Sequence, residues 1–162
     1  MFIPTEVCET EKMFYTKLDS VLDQHPCCDA LTVLGDFNTV TGTKRAGFEL
    51  YVGPHGSGVK NDNGSFLLNL TKSRRLIIAS SWYQKPVLHH RTWYSNARGV
   101  AKETDHFLVS THWRILQNCR FFWSAEFFAT DHRLVATSKP HVKSRKPPRC
   151  DHTVFHLEKL KD

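Results

Sequence analysis

The chain has 162 residues, 40% of them hydrophobic and 23% charged, with eleven Phe and four Trp. That is one domain of ordinary size with enough apolar material for a core, which excludes global disorder. A formal net charge of +6 favours a polyanionic partner through steering and counterion release, although a positive balance alone is weak evidence.

No run of 18 apolar residues occurs, and the opening stretch lacks a basic n-region followed by an apolar h-region. The expectation is a protein without a membrane span, placed inside the cell. The cysteines Cys8, Cys27, Cys28, Cys119 and Cys150 are odd in number and lack zinc-knuckle spacing, so they read as reduced structural thiols.

In chain order, Pro4 after Phe2 and Ile3 predicts the end of a strand over residues 1–4. Met13, Phe14, Leu18, Val21 and Leu22 fall at helical spacing, predicting a helix over 6–22 capped by Thr5 or Thr10. Residues 30–37, with the sequence ALTVLGDF, predict a buried strand with a polar C-terminal end. The Gly-, Asn- and Thr-rich residues 38–63 predict a long irregular loop, substrate-facing or simply an excursion. Phe66, Leu67, Leu70 and Leu76 mark a second helix following Asn63-Gly64, and residues 76–80 read as a strand. Short aromatic or β-branched runs around Trp93, after Asp105, from Asn118 and after Asp131 predict hairpin-connected strands. Together these elements predict an α+β layering, a mixed sheet with helices on its outer face. Lys139, Lys143, Arg145, Lys146 and Arg149 then crowd a Pro-containing stretch that reads as a solvated linker or a basic tail, as much a solubiliser as a phosphate contact.

Three short constellations carry chemistry. In Gly35-Asp36-Phe37-Asn38, strand alternation places Asp36 and Asn38 on one face, where a carboxylate and an amide could serve a hydrated Mg²⁺, a phosphate oxygen or a water. The same four residues also fit an Asx-turn closing a strand. Thr130-Asp131-His132 sets an acid beside a group that titrates near neutrality, suited to proton transfer or phosphate contact, or else to a surface turn. Asp105 heads an apolar strand, where it could fix a histidine's tautomer or be a plain turn residue. Upstream, Arg91-Thr92-Trp93 offers a cation and an aromatic plate for nucleic acid, although a sheet Trp is more often core.

Singly these signals are weak; their order is not. GDFN, a TW pair, xDxFLVS and [ST]DH before an apolar strand resemble the ordered signature of the DNase I-like endonuclease/exonuclease/phosphatase superfamily. The chain is more closely similar to endonuclease domains of RTE- and LINE-type retrotransposons and to craniofacial development protein 2-like proteins. That register includes Phe2-Ile3-Pro4-Thr5, the Lys12–Leu18 helix pattern and Asn61-Asp62-Asn63-Gly64, with residues 157–162 resembling the lead toward a reverse transcriptase. The resemblance implies an α+β fold, the C-terminal half of a DNase I-like two-sheet sandwich flanked by helices. It divides the chain into a partial domain over 1–138 and a basic linker or tail over 139–162. It implies that Asp36 and Asn38 orient water and contact the scissile phosphate, that Asp131 is a metal ligand, that His132 contacts or protonates the phosphate, that Asp105 pairs with His132, and that Trp93 and Arg91 meet DNA. The implied cofactor is Mg²⁺, with Mn²⁺ as a substitute, and the implied partners are DNA and a reverse transcriptase domain of a parent polyprotein, in the nucleus.

The family also carries a metal-binding Glu, an Asn and a further Tyr or His ahead of the strand that ends at Pro4, and these are not in this sequence. His106 stands where the family often has Tyr. The expectation is therefore an exposed sheet edge, a weakly held metal and little nuclease activity from this chain alone. A catalytically dead nucleic-acid-binding module and a degenerate open reading frame are the competing readings.

Overall fold

The structure is a computed structural model that describes residues 4–25, 31–95, 99–111, 116–122 and 130–138. Helix α1 runs Pro4–Asp23 and α2 runs Asp62–Arg74. The strands are β1 Thr32–Asp36, β2 Leu76–Ile78, β3 Trp93–Tyr94, β4 Ala101–Lys102, β5 Asp105–Ser110, β6 Asn118–Phe122 and β7 Leu134–Ser138. Single 3₁₀ turns at Ala79–Trp82 and Val87–His90 follow β2.

The central sheet has the order β1-β5-β2, and β5 pairs antiparallel with both neighbours. Its two faces bury different cores. On one, Val33, Leu76, Ile78 and Leu108 meet Tyr15, Leu18 and Leu22 of α1 and Leu67, Leu68 and Leu70 of α2. On the other, Ile77, Phe107 and Val109 meet Cys119 and Val135 of the separate β6-β7 hairpin sheet. Residues alternate between these faces along β5 because strand side chains point to opposite sides with period two. The result is helices on sheet on sheet, the α+β layering expected, with β3-β4 as a second small hairpin.

Several expectations change at the element ends. Pro4 and Thr5 do not close a strand: they open α1, where a proline's missing N–H costs nothing because first-turn amides have no intrahelical acceptor. Thr5 and Thr10 are consequently inside the helix rather than capping it. Tyr15 takes the buried place that periodicity offered to Met13, whose side chain is 60% exposed. Helix α2 starts earlier than the apolar spacing indicates, because Asn61 is its N-cap and accepts from Gly64 N at 2.8 Å. The strand from Leu76 stops at Ile78, and Ala79–Trp82 turns into 3₁₀. Residues 1–3, Cys27, Cys28 and the basic stretch 139–162 lie outside the described residues, so the domain boundary at 138 does too. Cys119 is a buried free thiol, pushed up to about 11 by burial. No helix among the described residues is long and apolar enough to cross a membrane.

The excursion after β1 is packed, not loose. Thr39, Val40, Thr41 and Val52 are buried, Val52 bridges Ile78, and Asn61 closes its neck. The Asn61 amide oxygen takes Val40 N at 2.9 Å while its Nδ2 donates to Asn38 O at 3.1 Å. Gly64 is required at this point, since a Cβ there would lie 2.2 Å from Val40 O. Arg74 ties the two helices together by reaching Asp19 at 2.5 Å and also Asp23, whose carboxyl the Arg74 hydrogen bond holds below its ordinary value.

Candidate functional site

The end of β1 and the start of β5 bring two carboxylates face to face. Asp36 and Asp105 are register partners, and the ladder bonds Ser110 N to Leu31 O and Phe37 N to Thr104 O place the hydrogen-bonded pairs at odd β1 positions. Asp36 opposite Asp105 is therefore a non-hydrogen-bonded pair, the type with the closer side chains, about 4.5 Å between Cα atoms. Like charges directly opposite are unfavourable in a sheet unless something positive or proton-bearing joins them. His132 meets Asp105 of this pair: its Nδ1 lies 3.1 Å from Asp105 Oδ2.

His132 reaches that position because residues 131–133 run beside β3. Trp93 and His132 form an antiparallel bridge, Tyr94 N donates to Asp131 O at 2.9 Å, and Arg133 N donates to Thr92 O at 2.7 Å. The indole N–H of Trp93 donates to Asp131 Oδ2 at 2.8 Å, and the other oxygen of Asp131 is 3.9 Å from His132 Nε2. A carboxylate on Nδ1 holds a neutral imidazole in the tautomer whose Nε2 carries the lone pair. The ring is 35% exposed, so Nε2 can reach an incoming group. Chemically this is an oriented acid or base beside two further carboxylates.

The site residues singled out in the sequence fall into two sets. Asp105, Asp131, His132 and Trp93 are linked by the contacts above, and Asp36 faces Asp105 across the strand pair. Asn38 gets there by a different route from alternation. The strand ends at Asp36, Asn38 adopts φ 50°, and its backbone N–H donates to Asp36 Oδ1 at 2.8 Å. The turn chemistry of an Asx motif, not the strand's pleat, sets its position. Arg91 is half-buried after the second 3₁₀ turn, and no ion pair among the described residues engages it.

Sequence reasoning passed over Thr92. Its buried hydroxyl accepts from Thr104 N at 2.9 Å and Asp105 N at 3.1 Å, so it sets the backbone that aims Asp105. Also unforeseen is a second acid–histidine pair two residues away. Glu103 is buried, takes a hydrogen bond from Ser57, and lies 3.4 Å from His90 Nδ1. Burial alone would raise its carboxyl; the neighbouring His90 and His106 and the hydrogen bond from Ser57 outweigh that and hold it below its ordinary value. His106 is buried and its Nε2 contacts Thr39 O at 2.9 Å, which keeps it in the fold's interior.

A mostly apolar groove of about 650 Å³ opens beside Asp36, walled by Met13, Phe14, Tyr15, Phe37 and Asn38. Glu11 and Asn63 also line it, joined at 2.6 Å. Burial, with Glu11 and Asp36 nearby, raises the Tyr15 hydroxyl's pKa, keeping it protonated. As to a metal, no three His, Cys, Asp or Glu side chains among the described residues gather closely enough to hold an ion. These residues do not make a cation cage by themselves.

No family model matches the chain. Its fold matches that of the Neisseria 3' phosphatase NExo, solved bound to product DNA hairpin, with a TM-score of 0.58 and 18% identity over 78% of this chain and 51% of that one. The chain is thus an α+β domain with a DNase I-like fold. In sequence it is similar to craniofacial development protein 2 of Tragulus javanicus, 28% identical over 116 residues that make up 70% of this chain and 20% of that protein. The Bos taurus protein of that name is 27% identical over 116 residues, 70% of this chain and 19% of its own length. The chain spans about a fifth of the curated relatives it matches and about half of the solved one.

Proposed function

We propose that this chain is half of a retrotransposon-derived endonuclease domain, competent for DNA phosphodiester hydrolysis when the rest of the fold is present and inactive alone. The observation that carries the reading is the Asp105–His132 pair at 3.1 Å, half-exposed at the mouth where Asp36 faces Asp105. Asp105 holds the His132 ring at Nδ1, so that in its doubly protonated form the ring turns an Nε2–H toward a phosphate oxygen, which it contacts or protonates. Asp36 and the Asn38 side chain orient the attacking water, and Asn38 hydrogen-bonds the scissile phosphate. Trp93 holds Asp131 and, with Arg91, lies along the DNA. Mg²⁺, or Mn²⁺ in its place, would neutralise charge developing on the phosphate. Asp131 could give it one oxygen, but a hard cation that keeps its waters needs more than the described residues offer. The DNA hairpin held by the fold's solved neighbour supports DNA as the substrate class. A reverse transcriptase in the same polyprotein and a nuclear location belong to the same reading.

The test is nicking of supercoiled plasmid with and without Mg²⁺. The 162-residue chain should not nick. A version extended upstream with the corresponding part of craniofacial development protein 2 should, and Asp131→Ala in that version should abolish it. Chelator-sensitive nicking by the chain alone would overturn the claim that it is inactive by itself.

The absence of a three-residue metal cluster among the described residues favours one second reading, a module that binds nucleic acid without turnover. It predicts salt-dependent binding with no nicking even in the extended version.

A further inference from the structure

The groove beside Asp36 is mostly apolar, yet two polar atoms of residues lining it are buried without a hydrogen-bond partner among the described residues. One is the Tyr15 hydroxyl and the other is Oδ1 of Asn63, and each residue is only 7% exposed. The Asn63 amide is oriented by its other end: Nδ2 donates to Glu11 Oε1 at 2.6 Å, and only the nitrogen can face a carboxylate. Its oxygen is thereby left as an acceptor. Phe14 stands at 83° to Tyr15 with ring centroids 5.3 Å apart, so the two rings make an aromatic corner. Two carboxylates, Glu11 and Asp36, against the one ammonium of Lys17 make the charged lining acidic. Buried polar atoms are nearly always paired, so unpaired ones in an apolar groove mark where the polar end of a ligand belongs.

We propose that this groove binds a small primary ammonium compound with an apolar body. A primary ammonium carries three N–H donors and no acceptor. Asn63 Oδ1, the Tyr15 hydroxyl oxygen and a carboxylate of Glu11 or Asp36 are the acceptors that match it. The aromatic corner attracts the same charge through the negative faces of its rings, and the apolar wall takes the carbon body. A hard metal ion fits less well, because two carboxylates with no third His, Cys, Asp or Glu gathered beside them among the described residues are too few ligands. A phosphate would be repelled by both carboxylates. The site is built from α1, α2 and the end of β1 and uses no step at His132, so it does not depend on the nuclease reading.

The full 162-residue chain is titrated with benzylammonium chloride at fixed ionic strength, and backbone amide shifts are followed by nuclear magnetic resonance. Saturable shifts centred on Phe14, Tyr15 and Asn63 are expected. Binding should be roughly ten-fold or more tighter than that of benzyl alcohol, which keeps the shape without the charge, and of benzyltrimethylammonium, which keeps the charge without an N–H. Glu11→Gln and Tyr15→Phe should each weaken benzylammonium roughly ten-fold. Glu9→Gln removes the same charge from an exposed α1 position outside the groove and should leave the affinity unchanged. The comparison of the three probes on the unaltered chain stands even if a variant misfolds. No saturable shift, shifts centred elsewhere, or equal affinity for the alcohol or the quaternary ion would each overturn the proposal.

Discussion

Two acid–histidine pairs, whose acids Glu103 and Asp105 are two residues apart in the chain, have opposite fates. In Asp105–His132 the imidazole Nδ1 is 3.1 Å from the carboxylate and both groups keep access to solvent. In Glu103–His90 the corresponding distance is 3.4 Å, but the carboxylate is 6% exposed and also receives Ser57. The same pair of functional groups is thus presented once at the mouth of the sheet and once beneath it. Strand period does not explain this, since Glu103 is two residues before Asp105 and in phase with it; Glu103 lies ahead of β5, where Ser57 and His90 close over it. Type and spacing of residues do not say which pair can do chemistry; access to the second imidazole nitrogen does.

The comparison breaks most sharply under substitution of the two histidines. In the upstream-extended protein, His132→Ala should lower plasmid nicking by roughly 10²–10⁴-fold, the range for losing a positioned acid or base, with little change in melting temperature. His90→Ala should do the reverse, lowering the melting temperature while the folded fraction still nicks. Equal activity losses from both would remove the distinction between the pairs.

Thr92→Val comes next. It strips two backbone amides of their acceptor at nearly constant volume, so about 1–3 kcal/mol of stability should be lost. Because one of those amides belongs to Asp105, kcat should fall more than KM changes. A stability loss with kcat intact would confine Thr92 to the scaffold.

The smallest effect concerns acid. Glu103 is held below its ordinary value of 4.5, so it binds fewer protons in the folded chain than in the unfolded one near that pH. Its contribution is full above about pH 4.5 and is lost as pH falls through the lower folded value. Glu103→Gln should therefore destabilise at pH 7 and differ less from the parent below pH 4.5, as read by thermal melts at both. A gap that widens in acid would mean the sign is wrong.

Much of this was legible in the sequence where the signal is local. The apolar run after Asp105 gave β5, periodicity gave both helices, and the order of short motifs pointed to the fold. What was hidden depends on contacts across the chain. Thr92 looks like any β-branched residue until its hydroxyl meets amides 12 and 13 residues on, and Ser57 meets Glu103 across 46 residues. Alternation predicts Asn38 on the face of Asp36, but the strand ends at Asp36 and Asn38 takes a left-handed turn conformation, which alternation alone cannot reveal. Asn61 could have been found, since an Asn three residues before the first helical turn's glycine is a capping signal. Glu11 approaches the mouth through the packing of α1, and nothing in its own neighbourhood announces that.

The clamp made by Asn61 also bears on how the chain can vary. One amide side chain binds Val40, Gly64 and Asn38 at the neck of the excursion after β1, while residues 43–50 at its far end include exposed Lys44, Gly47, Glu49 and Leu50. A loop closed at its base can lengthen or shorten at its tip at small entropic cost, since each doubling of length adds only about 0.6 kcal/mol. Insertions and deletions among relatives should therefore collect there, leaving Asp36 and α2 in the same places on either side of a segment free to diverge in length.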